Sequence, residues 1–323
     1  MALILRETDL KPLYSDPSSM DGLLEMIEDS LRAHISGKVP TQVRFQMPLV
    51  DPKRELRFMT ATVPGAGEGV RVTPLFRGGR DAHFSLFFDG HCGDLLALVA
   101  GGELNVWRTG APTGVASRVL AQPGAKLLAL LGSGRQAKGQ LLAIRRALPS
   151  LEEVRVFSPT EKHRTRFAKE MTSWLGIQVE PVDNARAAIQ GAQIVSLATS
   201  SRKPVIESDW ISPGMLVSSI TSGQLPQDLV ARSRVIVSWK EEVLEGKPPR
   251  QPYASMIASG NWSADRIAAE LGEVVLGNLP ARLSERDILL FESVGMPVWD
   301  TAATSWAYRW ALQHKAGTSF SLA

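Results

Sequence analysis

The chain has 323 residues, room for about two domains, with 44% hydrophobic and 21% charged residues, a globular balance. A net charge of +3 with scattered Lys and Arg argues against nucleic-acid binding, and a single cysteine, Cys92, excludes an internal disulfide framework or a cysteine-rich metal site. No apolar run reaches the roughly 18 residues of a membrane span and no basic-plus-apolar leader opens the chain, so a cytoplasmic protein is expected, with no metal and no membrane partner.

The chain opens on a strand-like run, ALIL, followed by a helix over Met20–His34 with Leu23, Leu24, Ile27 and Leu31 at helical spacing, closed by Gly37. From Val39 to Ala121 alternation takes over. Strands are expected at Thr41–Pro48, Arg57–Val63, Val70–Phe76, Ala82–Asp89, Leu95–Ala100 and Leu104–Arg108. This β-rich region carries Arg44, Arg54, Arg57, Arg71, Arg77, Arg80 and Arg108. Any one of them reads as surface charge. Arg44, Arg71 and Arg108 converging from strands into a cleft would instead suit a carboxylate, whose two oxygens match the guanidinium fork. Cys92 reads as a buried apolar filler. A helical run from Arg108 links this region to the next.

At Leu127–Leu131 a buried parallel strand leads into Gly132-Ser133-Gly134-Arg135-Gln136-Ala137 and then a helix from Gln136 to Leu148. This is G-x-G-x-x-A between strand and helix, a dinucleotide fingerprint. Gly132 makes the turn, Gly134 admits a pyrophosphate to the helix N-terminus, and Ala137 lets helix and strand pack closely. The next strand, Glu153–Ser158, ends in Ser158 rather than in the acid that would meet the ribose hydroxyls of NAD. Ser158 and Thr160, with charge from Lys162, His163 or Arg164, lean mildly towards NADP over NAD. Alternation continues with a helix at His163–Leu175, a strand at Gln178–Val182, a helix at Asn184–Gln190 and a strand at Ile194–Thr199 ending in a polar edge, Thr199-Ser200-Ser201. Strands follow at Gly214–Ile220, Arg234–Ser238 and Asp287–Val294, and helices at Lys240–Gly246, Ser263–Leu271 and Thr301–Gln313. Lys247-Pro248-Pro249-Arg250 reads as a surface excursion. The expected fold is α/β, a Rossmann-type doubly wound parallel sheet joined to a smaller α+β domain.

Several stretches together resemble the ornithine cyclodeaminase/mu-crystallin family: VRVTPLF at Val70–Phe76, RTGA at Arg108–Ala111, LGSGRQAKGQ at Leu131–Gln140, VRVFSPT at Val154–Thr160, the LATSS core, AAELGEVVLG at Ala268–Gly277 and FESVGMPVWDTAAT at Phe291–Thr304. The resemblance implies a substrate-binding and dimerisation domain over 1–121, completed by 298–323, an NAD(P) domain over 122–297, and a homodimer. It implies chemistry at the Cα–N bond of small amino or imino acids. By position, Arg44, Arg71, Arg108 and Met59 look like substrate contacts, with Arg71 and Arg108 stabilising charge at the reacting carbon. Gly132, Gly134, Gln136, Ala137, Ser158, Thr160, Thr199, Gly295 and Met296, with neighbouring Thr109, Arg135, Lys162, Ala198, Ser200 and Val294, look like cofactor contacts.

Three departures refine this. Position 71 is Arg71 where many members have Lys, so it is a fixed cation rather than a proton donor. Ser222-Gly223-Gln224 stands where cyclodeaminases resemble G-A-D-x-P-G with an Asp base, and Arg57 stands where they carry a Glu. Cyclodeamination is therefore disfavoured. Reduction of a cyclic ketimine acid or of iminosuccinate is expected, with amino-acid oxidation as its reverse and a non-catalytic NADP binder as the other reading. Arg77, Arg80 and His83 are either a solvated loop or contacts to a second substrate carboxylate, and Phe76, Phe84 and Met59 are either core or pocket.

Overall fold

The computed structural model describes residues 1–40, 44–51, 54–76 and 82–321, apart from the side chain of Phe76. The expectations on Thr41–Val43, Arg77 and Arg80 lie outside these residues. The chain forms two compact units, Met1–Arg108 with Gly295–Ala323, and Thr109–Val294.

The first unit contains β1 (Ala2–Leu5), α1 (Lys11–Ser15), α2 (Met20–Ile35), β2 (Phe45–Pro48), β3 (Arg54–Val63), β4 (Gly67–Phe76), β5 (Phe84–Phe88), β6 (Leu95–Ala100) and the start of α3 (Gly102–Leu120). The second runs through β7 (Leu127–Leu131), α4 (Arg135–Ala147), β8 (Glu153–Phe157), α5 (Glu161–Leu175), β9 (Gln178–Pro181), α6 (Ala185–Ile189), β10 (Ile194–Leu197), β11 (Leu216–Ser219), α7 (Gln227–Arg232), β12 (Arg234–Val237), α8 (Lys240–Glu245), α9 (Tyr253–Ala258), β13 (Ile267–Glu270), α10 (Leu271–Val275) and β14 (Leu289–Glu292). The chain then returns to the first unit with α11 (Pro297–His314) and β15 (Thr318–Phe320).

The first unit is a seven-stranded sheet in the order β15-β1-β6-β5-β4-β3-β2, antiparallel except for β1 beside β6. Helix α11 lies across β3, β4 and β5, and α2 packs on α11. The first three turns of α11 are buried on nearly every side. Gly69 makes that approach possible: a Cβ there would stand 2.4 Å from Thr301 Oγ1, which donates to the Ala61 carbonyl. Tyr14, Trp107 and Trp306 form an aromatic cluster, with ring centroids 5.5, 6.4 and 5.7 Å apart, that ties α1, α3 and α11 together.

Leu104–Arg108 is not a strand but part of α3. Five residues satisfy either period, and here Leu104, Trp107, Ala111 and Val115 line up as one buried helical stripe. A long-range cap also favours the helix. The Glu7 carboxylate accepts from the backbone N–H of Gly102 at 2.6 Å and of Glu103 at 3.2 Å. The units part inside α3, at Arg108–Thr109, rather than after it at residue 121. Pro112 lies within the helix; it has no N–H for the Arg108 carbonyl and its ring crowds that carbonyl, which makes residue 108 the natural place for the packing to change.

The second unit is an eight-stranded parallel sheet, β13-β12-β14-β11-β10-β7-β8-β9. Its central strands β7, β10, β11 and β14 are buried throughout, as a sheet covered on both faces requires. The expected helix at Ser263–Leu271 is instead a 3-10 turn, Ala264–Arg266, followed by the edge strand β13 and then α10. The run Ile267-Ala268-Ala269-Glu270 has no strong period of its own, and pairing with β12 supplies its backbone partners. The resemblance motif Glu270-Leu271-Gly272-Glu273 is a cap for α10: the Glu270 backbone N–H donates to Glu273 Oε2 at 2.7 Å, and Glu270 Oε1 accepts from the Lys240 N–H at 2.6 Å.

Two further expectations change. Arg250 is not on a surface excursion. Its Nε donates at 2.8 Å to Oε1 of Glu292, a fully buried carboxylate that also takes the Tyr253 hydroxyl at 3.2 Å. Cys92 is exposed rather than a core filler; it lies in a turn whose Asp89 carboxylate accepts from the His91 and Cys92 N–H groups.

Candidate functional site

In the second unit the strand order reverses between β7 and β10, and a cavity of about 780 Å³ opens at the carboxyl ends of β7, β8 and β10. This is the crevice where open α/β sheets bind ligands. Its walls are Leu131–Gln136, Phe157–Pro159, Ala198–Ser201, Val205, Ile220 and Thr221. Gly132 has φ +124°, and a Cβ on it would stand 2.3 Å from the Ala198 carbonyl oxygen, so only glycine fits. Gly134 is the N-cap of α4 in extended geometry, with no side chain to take the first amides of the helix. A Cβ on Gly134 would meet no atom within 4 Å. The turn therefore leaves an open cradle in front of the first N–H donors and the positive end of a 13-residue helix, which fits a pyrophosphate. Ala137 is fully buried beneath that helix rather than in the cavity.

Ser158 closes β8, and its Oγ lies 2.8 Å from Ser133 Oγ across the cavity wall. Arg164 is committed elsewhere, to the Ser158 carbonyl at 3.3 Å and to Asp183 at 2.8 Å. Thr160 and Lys162, expected at the cofactor, are exposed at the start of α5 and do not line the cavity. Thr109 sits where α3 crosses α4: its carbonyl accepts from Gln140 Nε2 at 2.9 Å, and a Cβ on Gly110 would stand 2.1 Å from the Gly139 carbonyl oxygen. The glycine of the RTGA motif is thus a helix-crossing contact. At the other wall Gln224, fully buried, donates from Nε2 to the Thr199 carbonyl and Oγ1, both at 2.8 Å, and to the Ser201 carbonyl at 3.2 Å. Of Ser222-Gly223-Gln224, which the resemblance sets where cyclodeaminases carry their acid motif, Gln224 is a clamp on the cavity edge. Val294 is pinned by Ser238 through both its N–H and its carbonyl, at 2.9 and 2.8 Å.

In the first unit, register brings Met59, Arg71 and Ser85 into one row across β3, β4 and β5. Arg108 reaches the same place from α3 and Asp300 from the buried face of α11. Arg108 is therefore directed by a helix, and Arg44 precedes β2 rather than lying on a strand. Asp300 Oδ1 accepts from Arg71 Nη1 at 2.9 Å and lies 2.9 Å from Arg108 Nε as an ion pair, without hydrogen-bond alignment. Arg108 Nη2 donates to Asn105 Oδ1 at 2.7 Å, and Arg71 Nη2 to His83 Nδ1 at 2.8 Å. Gly295 and Met296, expected at the cofactor, belong to this unit. Met296 is fully buried. The Gly295 carbonyl accepts from Arg44 Nη2 at 3.4 Å. A Cβ on Gly295 would stand 3.4 Å from Arg108 Nη1, 3.6 Å from Arg44 Nη2 and 3.8 Å from Met59 Cε.

Arg71, Arg108 and Asp300 are 7%, 8% and 5% exposed. Burial pulls Arg108 down to about 9; Asp300 opposes this, and the guanidiniums of Arg71, Arg44 and Arg57 add to it. A guanidinium does not give up its proton in a protein. The guanidinium stays charged, and a further anion beside it would relieve the cost of burying it. With Arg71 and Arg108 both on the single carboxylate of Asp300, and Arg108 Nη1 and Arg44 Nη2 flanking the space over Gly295, the arrangement is suited to a carboxylate ligand.

Asp300 and Asn105 hold the arginines and Gln224 holds the cavity edge, contacts that sequence reasoning does not place there. Asp300 carries a signal: it is the one acid in the otherwise uncharged stretch Pro297–Tyr308. Among the described residues no cluster of His, Cys, Asp and Glu could hold a metal, and no helix is long and apolar enough to cross a membrane.

Comparison with known proteins finds relatives across most of the chain. The model of the ornithine cyclodeaminase/mu-crystallin family matches residues 15–315. A Delta(1)-pyrroline-2-carboxylate reductase of Bacillus cereus is 27% identical over 312 residues, 93% of this chain and 94% of that one. The ketimine reductase mu-crystallin of Macropus fuliginosus is 28% identical over 228 residues, 69% of this chain and 67% of that one. The structure of Thermococcus litoralis Delta(1)-pyrroline-2-carboxylate reductase in complex with NADH and L-proline superposes with a TM-score of 0.89 at 29% identity, covering 98% of this chain and 100% of that one.

Proposed function

The chain belongs to the ornithine cyclodeaminase/mu-crystallin family, and from that premise we propose that it is an NAD(P)H-dependent reductase of small imino acids. The substrate is a cyclic ketimine carboxylate or an α-imino acid such as iminosuccinate, and the product is the L-amino acid. The observation that carries the reading is the buried excess of guanidinium over carboxylate around Asp300, together with a glycine-lined cradle at the N-terminus of α4. Reductases of this substrate class among the relatives support it.

The bound nicotinamide supplies the hydride. The amides at the start of α4 would hold the pyrophosphate, Gly134 keeps its space open, and Thr199 and Ser200, in a turn that Gln224 clamps at Thr199 and Ser201, would form the wall at the nicotinamide half. Arg44 and Arg108 hold the substrate carboxylate, and Arg71 is a fixed cation beside them. Reduction places a hydride on the imine carbon and needs one proton on nitrogen. A protonated imine brings that proton with it, which suits a site whose cations are arginines. Amino-acid oxidation is the same step reversed. Loss of the reduced-nicotinamide absorbance with pyrroline-2-carboxylate, piperideine-2-carboxylate or freshly generated iminosuccinate tests the reading. Tight cofactor binding without turnover of any of them would leave a binding protein instead.

The absence of an acid at the end of β8, with Ser158 and Arg135 on the cavity wall, favours NADPH. Fluorescence titration is expected to find NADPH bound about tenfold tighter than NADH, a difference of roughly 1.4 kcal/mol; tighter NADH would reverse the assignment. The working form is a homodimer in the cytoplasm. Strand β2 ends the seven-stranded sheet and exposes Phe45 (60%) and Met47 (40%), with Val50 wholly exposed beyond it, an apolar edge that a second copy would cover. Light scattering on the eluting protein should give a dimer mass, and Phe45→Asp with Met47→Asp a monomer mass; a wild-type monomer would sink the point.

A further inference from the structure

The guanidinium of Arg71 is held from two sides. Nη1 donates to Asp300 Oδ1 at 2.9 Å and Nη2 to His83 Nδ1 at 2.8 Å. Arginine has no acceptor, so Nδ1 must present its lone pair. A neutral His83 then carries its proton on Nε2, and a doubly protonated ring would set N–H against N–H. Thr73 Oγ1, two residues along β4 on the face of Arg71, lies 3.2 Å from the same Nδ1 and can only donate to it. The His83 backbone is fixed before its ring is: its carbonyl accepts from the Gly101 N–H at 2.7 Å, and a Cβ on Gly101 would stand 2.9 Å from His83 Cβ. A guanidinium only 7% exposed needs an acceptor for each donor that it buries.

We infer that His83 is a positioning residue of the acid-anion site, the acceptor that fixes the second Nη of Arg71 and so sets where that cation points. Its effect on ligand binding rests on the imino-acid reading; the contact itself does not. The ring does not act as acid or base in this arrangement, because its lone pair faces a permanent cation.

Three variants separate this from a catalytic role. His83→Asn retains an acceptor close to the place of Nδ1. His83→Ala removes it. His83→Gln moves it one atom further out and stands in for Ala if that variant does not fold. Calorimetry with pyrrole-2-carboxylate, a flat carboxylate that cannot be reduced as an imine, is expected to show about tenfold weaker binding to the Ala variant. The Asn variant should stay within about twofold of wild type, and NADPH affinity should not change in either. Ala binding as tightly as wild type, or Asn binding no better than Ala, would overturn the inference. Nitrogen NMR of the histidine-labelled protein reads the contact without any ligand: the signals that disappear in the Asn variant should be those of a neutral Nε2–H ring at neutral pH. A Nδ1–H or charged ring would overturn it. Failure of wild type to bind pyrrole-2-carboxylate, with the Nε2–H ring present, would count against the substrate reading alone.

Discussion

Arg108→Lys is expected to lower kcat/KM for an imino acid about 100-fold, equivalent to roughly 2.7 kcal/mol of transition-state stabilisation, while NAD(P)H affinity stays within about twofold. The charge survives the substitution but the fork does not. Arg108 is ion-paired with Asp300 on its Nε side and donates from Nη2 to Asn105, which leaves Nη1 directed at the space over Gly295 beside Arg44. A lysine has one point of charge and cannot meet Asp300 and a ligand carboxylate in the same geometry. Losing one hydrogen bond to a charged partner costs about 1.5–3 kcal/mol, which sets the size of the effect. Steady-state kinetics with a parallel fluorescence titration of cofactor checks it. Unchanged turnover would remove Arg108 from the site.

Gly134→Val should abolish measurable cofactor binding, a loss of at least about 100-fold, and leave thermal stability close to wild type. The backbone at 134 is extended, φ −92° and ψ −173°, a conformation that valine adopts readily, and a Cβ there touches nothing within 4 Å. The new methyl groups would fill only the cradle in front of α4. Gly132→Ala provides the contrast. At φ +124° and with its Cβ 2.3 Å from the Ala198 carbonyl oxygen, it should destabilise the second unit itself. The two glycines of one motif thus separate ligand space from backbone geometry. Calorimetry with NADPH and a thermal melt distinguish them; full cofactor affinity in Gly134→Val would place the pyrophosphate elsewhere.

The parallel sheet is legible in the sequence because its central strands are short apolar runs bounded by glycine and polar turns, and Leu127–Leu131 runs directly into its glycine turn. The β-rich start is legible as far as alternation carries. Alternation misleads at Leu104–Arg108, where five residues fit both periods and the cap that decides comes from Glu7, 95 residues away. Periodicity misleads again at Ile267–Glu270, where an alanine-rich run takes its state from β12. The glycine turn places Gly132, Gly134, Arg135 and Gln136 on one cavity because they are neighbours in sequence. The arginine cluster is a different case. Arg71, Arg108 and Asp300 come from a strand and two helices, and nothing local says that they meet. The buried pair Arg250 and Glu292 is hidden for the same reason: a Pro-Pro-Arg stretch reads as surface until the partner 42 residues on is known. Thr160 and Lys162 stand at the right distance from the glycines for a ribose contact, but the turn after β8 carries them to the exposed start of α5.

An imino-acid reductase passes a hydride from the reduced cofactor to the carbon of a carboxylate-bearing imine. That transfer is tested most directly with NADPH carrying deuterium on the transferable position of the nicotinamide, incubated with pyrroline-2-carboxylate, piperideine-2-carboxylate or iminosuccinate. The expected result is deuterium on the α-carbon of the L-amino acid product for at least one of them, by mass and proton NMR. Cofactor bound but no label transferred to any of the three, or ammonia released from ornithine with no net consumption of cofactor, would contradict it.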